Sequence, residues 1–208
     1  DIVRCCAEHG VPIIPRGAGT GLSGGARPHQ EGVVLGLSKM SAILDIDPQN
    51  RIAKVQPGVR NLAITQAAQA HGLYYAPDPS SQIACSIGGN VAENAGGVHC
   101  LKYGLTVNNV LGARVVMASG EIVELGGALY DNPGPDLLAL ICGSEGMLGI
   151  VTEVTVALLP EPETKAVLLA AFSQVVDAGS AVAAIISAGI IPAGMEMMDK
   201  MAVQAAEA

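Results

Sequence analysis

The stretch Pro15-Arg-Gly-Ala-Gly-Thr-Gly-Leu-Ser-Gly-Gly25 decides the fold of this chain, together with a second glycine-rich stretch, Ser86-Ile-Gly-Gly-Asn-Val-Ala-Glu-Asn-Ala-Gly-Gly97. Glycine lets a backbone approach a ligand closely or adopt a positive φ angle. Backbone N–H groups in such stretches can line an anionic ligand. Two glycine-rich stretches of low charge therefore indicate a site for a long polyanionic cofactor rather than for a single phosphate.

Composition narrows the class of protein. The chain has 208 residues, half of them hydrophobic but only 2% aromatic, and a formal net charge of −8. Ala, Val, Ile, Leu and Gly carry the apolar content, which favours close packing of helices on sheets. The sequence contains no run of Lys and Arg, so nucleic-acid binding is a poor hypothesis.

The cysteines and histidines indicate a reduced environment without a metal. The five cysteines form no C-x-x-C pair, and their odd number favours free thiols in a cytoplasmic protein. The four histidines are scattered and lack the spacing of metal ligands. We therefore predict no metal site and a cytoplasmic location.

One uncharged segment, residues 178–195, could be mistaken for a membrane span. It is interrupted by Gly, Ser and Pro, so we interpret it as a buried helix of a soluble protein that ends near Gly189. No signal peptide is visible. Because the chain begins with Asp1 and stops within a helical pattern, we expect a fragment of a longer protein.

The order of predicted elements indicates an α+β fold. Pro160-Glu-Pro-Glu163 is the best candidate for a domain boundary. Hydrophobic patterning predicts helices at 2–10, 62–71, 87–94, 137–142 and 175–188, and strands at 11–15, 33–37, 43–46, 51–56, 110–118, 121–125, 150–159 and 166–172.

The first glycine-rich stretch contains a G-x-G-x-x-G motif, Gly19 to Gly24, and Asp45 follows near the spacing of a Rossmann acidic residue. A Rossmann loop opens directly into a helix. Here Gly25-Ala-Arg-Pro28 follows, and its glycine and proline disfavour a helix. An NAD-binding Rossmann unit is therefore the weaker interpretation.

A non-helical cradle of backbone N–H groups is the stronger interpretation of this stretch. Arg16 would add positive charge beside it, and Thr20 and Ser23 would add hydroxyl donors. A flexible surface loop without a ligand is the remaining alternative. The density of glycine between two strands argues against that alternative.

Three stretches together resemble a known family. Besides the first glycine-rich stretch, they are Tyr75 to Gly104, which contains the second one, and Gly143-Ser-Glu-Gly-Met-Leu-Gly-Ile-Val151. In this order they resemble the FAD-binding (PCMH-type) domain of the vanillyl-alcohol oxidase superfamily. The match is best to the group that includes glycolate oxidase D subunits and the D-lactate and D-2-hydroxyglutarate dehydrogenases. It covers nearly the whole chain.

The resemblance implies an α+β fold in which FAD lies extended between two subdomains. It implies an FAD-binding domain at 1–160, lacking its N-terminal part, and the incomplete beginning of a C-terminal cap domain at 164–208. The implied FAD contacts are, at the pyrophosphate, Arg16, Gly17, Ala18, Gly19, Thr20, Gly21, Ser23 and Gly24; along the cofactor, Pro77, Asp78 and Ser81; at the ribityl chain and isoalloxazine, Ser86, Ile87, Gly88, Gly89, Asn90, Asn94, Gly96 and Gly97; and at the adenine end, Gly149, Ile150 and Val151.

Two departures from the family pattern refine the expectation. Many members attach the flavin through a histidine in the first loop, but the equivalent position here is Thr20, so we predict non-covalent FAD. The family's cap domain supplies the proton acceptor and the basic residues that grip the substrate carboxylate. After Glu163 this chain has no histidine and only Lys165 and Lys200 as cations, so we assign no catalytic residue.

The resemblance implies that the full-length protein oxidises a D-2-hydroxy acid, of the glycolate or D-lactate type, by hydride transfer to flavin N5. It also implies partner subunits or an electron-transfer protein as partners. A nucleotide-binding scaffold without its own catalysis is the second hypothesis. The NAD-dependent Rossmann enzyme is the third, and a helix directly after Gly24 would revive it.

Overall fold

The computed structural model describes residues 1–129 and 134–207. Within these residues the α-helices are α1 (Ile2–Glu8), α2 (Asn61–Ala68), α3 (Ile87–Glu93), α4 (Cys100–Tyr103), α5 (Thr106–Asn109), α6 (Leu137–Ile141), α7 (Val175–Ser187) and α8 (Lys200–Glu207). The strands are β1 (Ile13–Arg16), β2 (Val33–Gly36), β3 (Ile43–Asp47), β4 (Ile52–Val55), β5 (Leu73–Tyr74), β6 (Val110–Val116), β7 (Ile122–Gly126), β8 (Ile150–Ala157) and β9 (Leu159–Pro160).

The largest unit is a five-stranded antiparallel sheet in the order β3-β4-β8-β6-β7. Its central strand, β8, is rich in β-branched residues, which suit a pleated and half-buried surface. Val154 and Val156 are fully buried and alternate with the more exposed Glu153 and Thr155. One face of the sheet therefore carries the hydrophobic core, to which α2, α3 and α6 contribute buried side chains.

A smaller unit pairs β1 and β2 in parallel, from Ile13 beside Val33 to Arg16 beside Gly36. The connection between them, residues 17–32, contains most of the first glycine-rich stretch and no helix. A third, two-stranded pairing joins β5 to β9, so that Pro160 lies opposite Leu73. The glycine-rich connection thus belongs to the small parallel unit.

Most predicted elements form, and the exceptions lie toward the C-terminus. The predicted strand at 166–172 is wrong, because these residues pair with no strand in the described part of the chain and Val167 to Leu169 are at least 92% exposed. The helix predicted at 175–188 forms as α7, but none of its residues is buried. The prediction of a buried helix was therefore wrong. The structure also adds α4 and α5, which the sequence pattern did not predict.

No helix in the described part of the chain combines the length and the apolar character that crossing a membrane requires. All five cysteines are unpaired. Gly194, in the segment after α7, lies against Val98 and His99.

A line of ion pairs crosses four strands on the face of the sheet opposite the core. The Lys54 ammonium lies 2.7 Å from one carboxylate oxygen of Glu153, and the Arg114 guanidinium lies 3.0 Å from the other. Arg114 also pairs with Glu124 at 3.2 Å. The hydrogen bonds from Lys54, and those from Arg114, lower the pKa of the Glu153 carboxyl group. Glu153 is therefore the centre of the network, which links β4, β8, β6 and β7.

We predict that Glu153→Gln lowers the free energy of unfolding by about 1–2 kcal/mol at pH 7, because two cations lose their common carboxylate. Glu124→Gln, which affects only the exposed end of the network, should lower the free energy of unfolding by less. Urea unfolding at several pH values measures both. A carboxyl group with a lowered folded-state pKa stabilises above its unfolded pKa of about 4.3 and loses this contribution as the pH falls through the folded value. The gap between wild type and Glu153→Gln should therefore close at acidic pH, and a constant gap would contradict the assignment.

Exposed apolar side chains in the C-terminal part predict self-association. Val167, Leu168 and Leu169 are 92%, 97% and 100% exposed and contiguous in sequence, and contiguous apolar surface promotes association. We expect light scattering of this 208-residue chain to report a mass that rises with concentration. Leu168→Asp should reduce the rise, whereas Ile83→Asp, at an isolated exposed position, should not. A monomeric mass for the wild type at high concentration would contradict this prediction.

Candidate cofactor-binding site

The three stretches that the sequence singled out meet at one cleft. The first glycine-rich stretch forms one wall, the start of α3 forms the second, and the connection from α6 to β8 forms the third. Seven of the predicted FAD contacts line this cleft: Gly17, Ser86, Gly88, Gly89, Gly149, Ile150 and Val151. The fold thus joins segments that are far apart in sequence into one concave surface.

Ser86 is the central polar residue of this cleft. It is the N-cap residue of α3, yet its side chain makes no capping hydrogen bond. Ser86 is only 4% exposed, and its hydroxyl oxygen has no hydrogen-bond partner. A buried hydroxyl group without a partner costs free energy. Because it borders a cleft, this hydroxyl group is a candidate hydrogen-bond partner for a ligand.

The backbone of the first glycine-rich stretch passes directly over this hydroxyl group. A Cβ atom on Gly17 would overlap the Ser86 oxygen, and one on Gly89 would lie 3.4 Å from it. Gly88 is equally restricted, since a Cβ there would lie 2.6 Å from the Cβ of Pro57. Glycine at these positions lets three backbone segments approach one another and keeps the cleft open to a ligand.

Beyond Gly17 the stretch continues as an exposed loop. Ala18, Gly19, Thr20, Gly21 and Gly24 are all exposed. The Arg16 guanidinium folds back beneath Gly19, where a Cβ atom would lie 2.9 Å from one of its nitrogens. Ser23 donates a hydrogen bond of 2.5 Å to the Glu93 carboxylate at the end of α3.

Several predicted contacts have side chains that are engaged within the protein. Asn90 donates a hydrogen bond of 2.8 Å to Asn61, which in turn donates one of 2.9 Å to the carbonyl of Pro77. Ile87 and Pro77 are fully buried. These bonds and contacts hold α3 against α2 and the 75–82 loop, so these residues shape the wall behind the cleft.

Five further predicted contacts have their partners elsewhere in the protein. The Asp78 carboxylate pairs with the His99 ring at 2.6 Å, and the Asn94 side-chain oxygen accepts a hydrogen bond of 2.9 Å from the Val107 N–H. Ser81 is half-buried, and its carbonyl accepts hydrogen bonds from Ala84 and Cys85. Gly96 and Gly97 pack against Cys100 and Asp78. None of these predicted residues lines the cleft around Ser86.

The structure also shows lining residues that the sequence analysis did not select. They include Pro15, Leu37, Pro57, Ser144, Glu145 and Gly146. Residues 143–145 are held to the end of α3 by backbone hydrogen bonds of 2.8 Å, from Gly143 to the carbonyl of Val91 and from Glu145 to that of Ala92. Ser144 to Gly146 lay within the third quoted stretch, and Pro15 began the first. The quoted stretches therefore contained these four lining residues, but no sequence motif pointed to Leu37 or Pro57.

The structure argues against two alternatives at this cleft, a reactive cysteine and an NAD-binding Rossmann unit. Cys142, beside the lining residue Ile141, is buried, and burial raises the pKa of its thiol to about 11, so it stays protonated. A Rossmann phosphate site requires a helix directly after the glycine-rich loop, but the chain runs from Gly24 to β2 without one. The NAD-binding interpretation is therefore wrong. Across residues 1–129 and 134–207, no group of three or more His, Cys, Asp and Glu side chains could hold a metal ion.

Comparison with known proteins identifies the family. Residues 1–126 match the FAD binding domain, and residues 161–208 match the C-terminal domain of FAD linked oxidases. The chain belongs to the family of FAD-binding domains found in FAD-linked oxidases, and its cofactor is FAD. The cleft fits such a cofactor, because it offers an unpartnered buried hydroxyl group and a glycine-lined wall without side chains in the way.

Individual relatives are similar over nearly the whole chain. It is 63% identical to the glycolate oxidase subunit GlcD of Escherichia coli over 99% of this chain and 41% of that protein. It is 50% identical to GlcD of Bacillus subtilis, over 96% and 43% of the two chains, and 40% identical to a D-lactate dehydrogenase of Archaeoglobus fulgidus, over 99% and 46%. The chain therefore spans about two fifths of the length of the curated relatives it matches.

A solved structure supports the fold. The chain resembles alkyldihydroxyacetonephosphate synthase with a TM-score of 0.78 and 26% identity, over 93% of this chain and 35% of that one. The predicted α+β FAD-binding fold is thereby confirmed.

We predict that Ser86→Ala leaves the cofactor-free protein as stable as the wild type, or more stable by up to about 1 kcal/mol, because it removes a buried hydroxyl group that has no partner. Thermal unfolding without added cofactor measures this. Thr106→Ala is the matched control, since the Thr106 hydroxyl is also buried but donates a hydrogen bond of 2.6 Å to the Ala95 carbonyl. Thr106→Ala should lower the melting temperature. An equal decrease in both variants would contradict the assignment of Ser86 as an unpartnered hydroxyl group.

Proposed function

We propose that this chain is the FAD-binding portion of an oxidoreductase that oxidises a D-2-hydroxy acid of the glycolate or D-lactate type. One observation carries the proposal: the three family stretches meet around the unpartnered hydroxyl group of Ser86. The 63% identity to a glycolate oxidase subunit and the 40% identity to a D-lactate dehydrogenase support the substrate class.

The chemistry that FAD supplies when bound is acceptance of a hydride from the substrate α-carbon at flavin N5. The residues of this chain bind the cofactor and orient it. We propose that Arg16 to Gly21, Ser23 and Gly24 hold the pyrophosphate through backbone N–H groups, the Thr20 hydroxyl group and one guanidinium. Ser86, Gly88 and Gly89 provide the opposite wall.

The remaining predicted contacts are proposed to act in two ways. Gly149, Ile150 and Val151 line the cleft and can contact the cofactor through backbone groups. We propose that Pro77, Asp78, Ser81, Asn90, Asn94, Gly96 and Gly97 shape the more distant part of the site. The side chains of Asp78, Asn90 and Asn94 are already held by neighbouring residues.

The domain organisation follows the same proposal. Residues 1–160 form the FAD-binding part, and residues 164–208 begin the C-terminal domain that closes over the substrate. The proton acceptor and the groups that bind the substrate carboxylate then belong to the longer protein, which is consistent with relatives more than twice as long. We further propose that this protein works in the cytoplasm, in keeping with its five unpaired cysteines. We also propose that it assembles with partner subunits, because its Escherichia coli relative is a glycolate oxidase subunit.

We predict that the purified chain retains FAD after desalting and not NADH, and that acid denaturation releases the flavin, because Thr20 offers no ring nitrogen for a covalent bond. Ser86→Ala should weaken FAD binding by up to about tenfold, since one hydrogen bond is lost. Gly17→Ala should weaken it at least as much, because its Cβ would displace the Ser86 hydroxyl group. Flavin fluorescence measures the affinities.

Gly36→Ala is the matched control, since a Cβ at this β2 position meets no atom within 4 Å. It should bind FAD like the wild type. Retention of NADH without FAD would overturn the cofactor assignment. A longer protein that binds FAD but oxidises neither glycolate nor D-lactate would favour the scaffold hypothesis over the proposed activity.

A further inference from the structure

The first glycine-rich stretch follows α3 from its start to its end. Gly17 lies over Ser86 at the beginning of the helix, and Gly21 and Ser23 lie at Glu93, its last residue. Ser23 donates a hydrogen bond of 2.5 Å to one carboxylate oxygen of Glu93. A Cβ atom on Gly21 would lie 3.0 Å from the other oxygen. The loop is thus in contact with the helix at two points on either side of its exposed middle.

We propose that Glu93 is a positioning residue for the anion cradle, acting through its hydrogen bond with Ser23. This inference rests on the proposed FAD site and adds a residue that none of the predicted contacts included. In this role Glu93 does not touch the cofactor; it keeps the loop against α3 so that the N–H groups between Gly17 and Gly24 face the cleft before the cofactor arrives.

The loop needs such an attachment because its own backbone is permissive. Gly19 has a φ of +76° and Gly24 a φ of +84°, so two glycines in left-handed conformations bracket the segment between them. Glycine loses more conformational entropy on ordering than any other residue. Leu22, at the centre, is fully exposed and contributes no packing. A charge-assisted hydrogen bond at Ser23 offsets part of this ordering cost.

The position of Glu93 is not explained by the stability of α3. A carboxylate at the C-terminal end of a helix lies at the negative end of the helix dipole, where it is unfavourable. Glu93 is exposed, so it does not contribute to the core either. Its hydrogen bond to Ser23 is the contact that accounts for a carboxylate at this position.

Glu93 could affect the binding of an anionic cofactor in two ways, through its charge or through its hydrogen bond to Ser23. If only its charge mattered, removing the negative charge in any way would strengthen FAD binding. If the hydrogen bond to Ser23 matters, Glu93→Ala weakens binding, and Glu93→Gln retains it, because the glutamine side-chain oxygen still accepts from the Ser23 hydroxyl group. Glu93→Ala therefore changes the affinity in opposite directions under the two explanations.

The first experiment needs no cofactor. Hydrogen–deuterium exchange of the cofactor-free chain should show amides of residues 18–25 exchanging several-fold faster in Glu93→Ala and Ser23→Ala than in the wild type or Glu93→Gln. The control is Glu31→Ala, which removes an exposed carboxylate from the far end of the same connection. Melting temperatures should be unchanged in all variants. Equal exchange in Glu93→Ala and the wild type would overturn the proposal.

The second experiment measures FAD affinity by flavin fluorescence in the same variants. Glu93→Ala and Ser23→Ala should each weaken binding about fivefold, and the double variant no further, because both remove one interaction. Unchanged or tighter binding by Glu93→Ala would overturn the proposal while FAD binding by the wild type leaves the proposed function standing. If the wild type does not bind FAD, the proposed function fails, and the exchange experiment alone decides whether Glu93 orders the loop.

Discussion

The burial of α3 against the central strand β8 is the contact on which the rest of the structure depends. Ile87 and Val91 on the helix and Val154 on the strand are fully buried in the same core. Burying such a side chain contributes about 1.5–3 kcal/mol, so the helix is firmly held. Its start then presents Ser86 to Gly17, its end presents Glu93 to Ser23, and its last turn accepts the backbone of residues 143–145. All three walls of the cleft take their positions from this one helix.

Unlike the core, the cleft contains a few polar side chains, and one of them has an energetic cost. Within the described residues the core consists almost entirely of aliphatic side chains, with Tyr75 as its aromatic member. At its edge, the Ser86 hydroxyl group remains buried without a partner. A protein that only had to be stable would gain from alanine at this position. Under the proposed function, a bound cofactor supplies the missing hydrogen bond, so that this residue serves binding rather than folding.

Local patterns anticipated elements whose partners lie nearby or whose burial is strong. The hairpin of β6 and β7, the β-branched strand β8 and the glycine-containing helix α3 formed close to their predicted bounds. The strand predicted at 166–172 did not form, because an extended segment becomes a strand only when a neighbouring strand pairs with it. The short helices α4 and α5 escaped prediction because one turn of helix has no periodicity to read. In α5, the start depends on the Asn94 side chain, which accepts from Val107.

The sequence by itself determined the class of fold, the FAD-binding family and three stretches that line the cleft, because glycine density and motif order are local properties of the chain. Only the tertiary structure decided which residues share the cleft. It brought Gly17, Ser86 and Gly149 together and enlisted Leu37 and Pro57, which carry no motif. It also turned Asp78 and Asn90 toward partners within the protein, and joined Ser23 to Glu93. These pairings depend on distances between segments that are far apart in sequence, and such distances are set by the packing of helices on the sheet.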